Sequence, residues 1–443
     1  MGNILDPQDQ TAFDAWRATG VTSLLQCVWV YDRPINIDGL QHFHHNLERG
    51  RLSRCIERSP LPFGRHRWIS SEGSSANEIV APLRPREQFD TWLEEQALRP
   101  LDVERGPGWH LAVLPFTDGG AGVSLVVSHC LTDGVGLCEA LVDAAMGRGD
   151  PMSLPAAGSR RRWQALREDV RQAARDTPAI GRGVAAAARL ARQSRGSAGA
   201  AVPRPTRAPS IPAGADETMT LPTVTISVDA DQWDARAYEL GGTSNTLLAG
   251  LATRLAQRLG RVNGDGSVAL RLPVNERVEG DDRANAVSTI SIAVSPAPVT
   301  TDLRELRTAI KRALIRHQQV ADDEQAVLSL VPLLPLLPKR LVRAAGSAAT
   351  FAVSSNLGVV DPAATRADGT YAGYFAMKIL YPSPTRTMMH RLGGLQVFLS
   401  GRAQERVFVS ATAYQPGRPN TNDDLRQELS GTLHDFSLTA TDI

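Results

Sequence analysis

Residues Ser128-His129-Cys130-Leu131-Thr132-Asp133-Gly134 put an imidazole, a carboxylate and a glycine within seven positions. They lie between the apolar run Val123-Ser124-Leu125-Val126-Val127 and a helix-like run from Leu137 to Met146. A neutral imidazole at a strand end can take the proton from a hydroxyl or amine as it attacks a carbonyl. Side chains alternate along a strand, so Val123, Leu125, Val127 and His129 share one face. Cys130 then points away from His129, which argues against a Cys–His nucleophile pair. Gly134 tolerates the tight backbone that turns a strand into a helix. Asp133 could cap that helix, bond the imidazole or meet an arginine. Residue types alone favour a strand-to-helix turn with a hydrogen-bonded histidine.

The surrounding chain must hold this heptapeptide in place. Leu24–Tyr31, Trp109–Phe116 and Gly122–His129 read as strands, the last two joined by the turn Thr117-Asp118-Gly119-Gly120. Asp38, with Gln41 three residues on, reads as the opening of a helix whose apolar stripe is Leu40, Phe43 and Leu47. His42, His44 and His45 fall in that helix and read as a solvated polar face, because no acid or cysteine completes a metal set. In the second half Pro222–Val228, Ser267–Val274, Val287–Val294, Thr350–Ser355, Tyr371–Tyr381, Leu395–Ser400 and Arg406–Ala413 read as strands. Helices are expected after a cap at Thr243 or Ser244, over Leu303–Val320 and from about Thr421 to His434. Strands and helices interleave in both halves, which predicts an α/β (α+β) chain of two similar layers. The expected division is 1–150 with the motif, a basic connector over 151–215, and 216–443.

Composition narrows the function. A chain of 443 residues with 42% apolar residues can build two ordinary cores. The net charge of +1 leaves no global nucleic-acid footprint, so no nucleic-acid partner is expected. Between residues 159 and 209, however, twelve arginines face only Glu168, Asp169 and Asp176. That segment reads as a solvated helix followed by a crossover linker, or as a landing strip for anionic lipid or cofactor phosphates. Cys27, Cys55, Cys130 and Cys138 lack metal spacing and fit a reducing compartment. Charges in the first seventeen residues leave no signal-peptide core, and no apolar run reaches spanning length. The expectation is a cytoplasmic protein, in peripheral contact at most with an anionic membrane or lipid droplets. Residues 327–345 combine leucines and valines with Pro332, Pro335 and Pro338, which reads as an irregular cover of the core, an apolar tunnel wall, or an interfacial contact with its cations at Lys339, Arg340 and Arg343. Neither a dinucleotide glycine fingerprint nor a Walker loop is present.

The heptapeptide resembles the H-H-x-x-x-D-G signature of the coenzyme A-dependent acyltransferase superfamily, with Ser128 at the first histidine and His129 at the second. Other segments resemble the bacterial wax ester synthase/diacylglycerol acyltransferase branch in the same order. They are Pro100-Leu101-Asp102 with Gly106-Pro107-Gly108-Trp109, Thr243 to Ala249, Leu272 to Arg277, Asn285-Ala286-Val287-Ser288 and Ser355-Asn356-Leu357-Gly358. The D-F-G-W-G motif of condensation domains is absent.

The resemblance implies two chloramphenicol-acetyltransferase-like domains in one chain, a pseudodimer with a tunnel at the interface. It implies an O-acyltransferase that moves an acyl group from acyl-CoA to an alcohol such as a fatty alcohol or diacylglycerol. An acyl-phosphopantetheine donor on an acyl carrier protein, making an ester or amide, is the alternative, and a catalytically inactive lipid-binding member is another. No permanently bound cofactor and no metal are expected. By this resemblance His129 is the general base and Asp133 its structural companion in the catalytic motif, paired with a distant arginine for which Arg277 is the candidate. Gly134 and Ser128 shape the turn, and Trp109, Ser355 and Asn356 are candidate substrate contacts, Asn356 steadying the thioester or oxyanion.

Overall fold

β1 (Leu24–Tyr31) is buried at all eight positions, as a strand covered on both faces must be. The computed structural model describes residues 3–71, 80–148, 152–196, 217–336 and 351–441. The strands after β1 are β2 (Arg54–Glu57), β3 (Arg67–Ser70), β4 (Trp109–Pro115), β5 (Ala121–Ser128), β6 (Thr223–Asp229) and β7 (Val268–Asn275). They are followed by β8 (Val287–Val294), β9 (Ala352–Val359), β10 (Tyr374–Leu380), β11 (Leu395–Ala403) and β12 (Arg406–Tyr414). Two main sheets result. One is antiparallel in the order β10-β1-β5-β4, and the other runs β6-β12-β11-β9-β7-β8, with β9 parallel to both β11 and β7. β2 and β3 form a separate hairpin.

The two sheets are interlocked. β10 comes late in the chain yet pairs with β1 in the first sheet, from Leu24↔Leu380 to Val30↔Tyr374. Its outer carbonyls are taken by the second sheet, where Ser410 Oγ donates to Met377 O and Thr412 Oγ1 to Ile379 O. Trp29 Nε1 donates to Ala364 O, a further tie to the second half. Each sheet carries its own apolar core. Trp29, Phe43, Leu125, Val127 and Leu141 belong to the first, and Trp233, Leu247, Leu251, Phe398 and Leu429 to the second.

Local signals start the helices that matter for the site. α1 (Pro7–Thr19) begins with Asp6 accepting from Gln8 N and Pro7 in the first turn, where a missing N–H costs nothing. α2 (Ile37–Arg49) is capped by Asn36 rather than by Asp38, so it starts earlier than the Asp38–Gln41 pattern predicts. α3 (Phe89–Ala97) covers the first sheet, and α4 (Gly134–Met146) follows the motif strand directly. The basic segment contains α5 (Arg162–Gly196), a single 35-residue helix, and residues 197–215 of the expected connector lie outside the described residues. α6 (Ala230–Glu239), α7 (Ser244–Arg258) and α8 (Arg304–Leu328) lie between β6 and β9. α7 is capped by Thr243, one of the two caps its sequence offers. Of the leucine–proline stretch, Val331–Leu336 forms a short 3₁₀ helix, and 337–345 lie outside the described residues.

His44 corrects the reading of α2 as presenting three solvated histidines. His42 and His45 are exposed, but His44 is buried with its ring 5.3 Å from that of Trp109. Position 44 follows Phe43 on the inner edge of the apolar stripe, where it packs on α2's neighbour β4.

Candidate active site

β5 ends at Ser128, and the chain turns at once. Ser128 N donates to Gly108 O, His129 N donates to Ser23 O, and Leu131 N returns to Ser128 O. Ser128 Oγ accepts from Cys130 N at 3.3 Å, so this buried hydroxyl is used to close the turn. His129 leaves the sheet half-buried. Cys130 lies in the first core, where burial pushes its thiol up to about 11. Burial likewise raises the Cys138 thiol to about 12, so both cysteines stay protonated and unreactive at neutral pH.

Asp133 makes two of the three contacts its sequence allows. Its Oδ1 accepts from Gly136 N at 2.7 Å and caps α4. Its Oδ2 accepts from Arg277 Nη2 and from Ala286 N, both at 2.8 Å. The imidazole is not among its partners. Arg277 also donates to the carbonyls of Asp281, Arg283 and Ala284, so one guanidinium folds the whole 277–286 loop around the carboxylate. Asp133 N donates to Ala284 O and closes the same junction. The side chains of Asp133 and Arg277 are 3% and 2% exposed, which makes this a desolvated ion pair. Two glycines make the approach fit. A Cβ on Gly136 would fall 2.8 Å from Arg277 Nη2, and one on Gly134 would fall 2.7 Å from Leu357 Cδ2.

The imidazole is held by a residue from the same loop. His129 Nδ1 lies 3.0 Å from Asn285 Oδ1. The other end of that amide, Nδ2, donates to His129 O at 3.2 Å and to Asp9 Oδ1 at 3.3 Å. A carbonyl and a carboxylate both demand a donor, so the NH₂ must face them and Oδ1 must face the ring. Nδ1 therefore carries the hydrogen, and the lone pair is on Nε2. Asp9 also accepts from Asn285 N and Ala284 N, at 2.7 and 3.0 Å. Burial pushes the Asp9 carboxyl up to about 6, against the pull of Arg54 and of those two amides. Arg54 is itself fully buried, stacked 4.2 Å over Trp68. It donates to Leu131 O of the motif turn and to Asp282 O of the opposing loop.

The structure thus brings His129, Asp133, Gly134 and Arg277 together and turns Ser128 into the turn beneath them. Trp109 is placed in the first core against His44, so its ring packs rather than faces a substrate. Ser355 and Asn356 sit half-buried near the end of β9. Asn356 Oδ1 accepts from Gly358 N, and the next side chain, Leu357, reaches Gly134. Sequence reasoning missed Asp9, Arg54 and Gly136 and quoted Asn285 without a role. Asp9 sits beside the D-P cap of α1, the one local signal near it. Arg54 carried none.

No family model and no curated protein matches the chain. Solved structures share its fold. The first condensation domain of the CDA synthetase aligns with a TM-score of 0.58 at 14% identity, over 100% of this chain and 99% of that one. Polyketide synthase associated protein 5 from Mycobacterium tuberculosis aligns at 0.54 and 13%, over 97% of each chain. The EpoB cyclization-docking bidomain from Sorangium cellulosum aligns at 0.57 and 13%, over 98% of this chain and 84% of that one. At such low identity these likenesses define the fold class. The chain has a condensation-domain-like α/β fold of the chloramphenicol acetyltransferase type, the fold class expected from the sequence.

Proposed function

We propose that this protein is a condensation-type acyltransferase that moves an acyl group from a phosphopantetheine thioester to a hydroxyl or amine acceptor. The observation that carries the reading is the His129 Nδ1–Asn285 Oδ1 contact, which leaves Nε2 as a fixed base. Nε2 takes the acceptor proton as the acceptor oxygen or nitrogen attacks the thioester carbonyl. The C–S bond then breaks, and the leaving thiolate takes the proton back from the imidazolium. The products are an ester or amide and a free thiol. General-base assistance of this kind supplies about 10²–10⁴ in rate. Asp133 and Arg277 act as positioning residues, holding the 277–286 loop that carries Asn285 against the motif. Ser355 and Asn356, on the β9 end that touches Gly134, are the proposed contacts for the thioester.

The likeness to condensation domains of nonribosomal peptide synthetases favours a carrier-protein-bound donor over free acyl-CoA. Nothing in those likenesses singles out the wax ester synthase/diacylglycerol acyltransferase branch. Fatty alcohols and diacylglycerol therefore enter as acceptors to be tested beside diols and amines. The test is a donor-by-acceptor screen with mass detection and thiol release, each acyl group offered as acyl-CoA and as acyl-carrier protein. Turnover with the carrier-bound donor at least tenfold above acyl-CoA is expected. Equal or better use of acyl-CoA would return the reading to a coenzyme A-dependent O-acyltransferase. Co-purified lipid with no turnover on any pair would make it a binding protein.

A further inference from the structure

α5 carries most of the basic segment, and beyond Arg162 in its first turn six of its arginines lie on one side. At 100° per residue, Arg167, Arg171, Arg175, Arg182, Arg189 and Arg192 fall within an arc of about 100°. All six are exposed. Along the axis they span about 38 Å at 1.5 Å per residue. Trp163, Val170 and Val184 fall within about 60° immediately beside that arc, and they are 79%, 51% and 57% exposed. The opposite side faces the protein. Ala165 and Ala186 are buried there, and Ser329 Oγ at the end of α8 donates to Ala179 O. At Gly183 a Cβ would fall 2.5 Å from Ser329 Oγ, so α5 and its neighbour pack nearly backbone to backbone.

The three acids of the helix are all used on the inner side or within the helix. Asp169 takes Arg67, Arg160 and Ser59, Glu168 takes Arg160, and Asp176 takes Gln172. Within the arginine arc, Arg189 is already tied to the neighbouring helix through Asp323 of α8. Arg167, Arg171, Arg175, Arg182 and Arg192 have no carboxylate partner among the described residues. A row of cations beside a row of exposed apolar side chains, one a tryptophan, has the makeup of an interfacial helix.

We propose that this face of α5 docks on an anionic phospholipid surface, with Trp163, Val170 and Val184 entering the headgroup layer and the arginine row meeting lipid phosphates. A folded acidic partner would meet the arginines equally well, but it gives no reason for three large apolar side chains to stand in water beside them. The inference concerns where the protein sits and is independent of its acyl-transfer chemistry.

The 443-residue chain is sedimented with vesicles of phosphatidylcholine alone and of phosphatidylcholine mixed with phosphatidylglycerol, at low and high salt. Binding only to the anionic vesicles, weakened by salt, is expected. Each basic residue near the surface contributes about 1 kcal/mol, about fivefold. Arg171→Glu/Arg175→Glu/Arg182→Glu should therefore weaken binding by on the order of a hundredfold or more. Trp163→Ala/Val170→Ser/Val184→Ser should weaken it by at least tenfold even at low salt. Unchanged thermal unfolding in both variants, all of whose altered side chains are exposed, separates lost docking from lost fold. Three results would overturn the proposal: no wild-type binding to anionic vesicles, binding that both variants retain, or a face that binds an acidic carrier protein and not vesicles.

Discussion

Asp133 and Asp9 are both buried carboxylates that accept backbone hydrogen bonds from the 284–286 segment, yet they are balanced differently. Asp133 has a guanidinium at 2.8 Å, and its charge is matched on the spot. Asp9 has only amide donors in contact, with Arg54 acting at longer range, and burial lifts its carboxyl to about 6. One acid therefore locks the loop to the motif turn. The other steers the Asn285 amide that sets the imidazole, and its own charge changes within an ordinary pH range. A strong tie and a sensitive one converge on the same ten residues.

Breaking the strong tie should have the largest effect. Arg277→Met leaves Asp133 buried and unpaired, and a loss of about 3–5 kcal/mol is expected in denaturant unfolding. A loss below 1 kcal/mol would mean the pair is not the junction described. Removing Asn285 tests the sensitive side. Asn285→Ala frees the ring to place its hydrogen on either nitrogen, and turnover should fall at least tenfold with a smaller stability loss than Arg277→Met. A stability loss with unchanged turnover would assign Asn285 to packing alone.

Asp9 sharpens the contrast through pH. Its folded value lies above its unfolded value of 3.8, so the folded protein holds a proton that the unfolded chain has released. Its stabilising contribution is complete below about pH 4 and is lost as pH rises through about 6, by up to about 3 kcal/mol. Asp9→Asn should remove that slope from the stability–pH curve. The smallest effect on chemistry is expected at Ser128. Ser128→His restores the histidine of the resembled motif but overfills a buried turn. It should cost about 1–3 kcal/mol with no gain in turnover.

The sequence made legible what is contiguous or periodic. β1, β5, α4 and α7 follow from apolar runs and caps within a few residues of where they occur. Arg277 could be named because it sits in a strand-end segment with a recognisable pattern. Asp9 and Arg54 could not, because their contacts cross 275 and 228 residues of chain and leave no local pattern. The length of α5 was hidden for a related reason. Its polar, arginine-rich composition resembles a linker, and Pro178 interrupts it, although the helix continues through that position. His44 shows the limit of reading a stripe, since a single residue beside Phe43 turned inward.

Nε2 of His129 is the proposed base, and Asn285 aims it. The most direct test is thiol release from an acyl-carrier thioester by wild type and His129→Ala, run beside thermal unfolding of both. A fall in turnover of about 10²–10⁴ with an unchanged unfolding curve is expected. Near-wild-type turnover in His129→Ala would contradict the assignment.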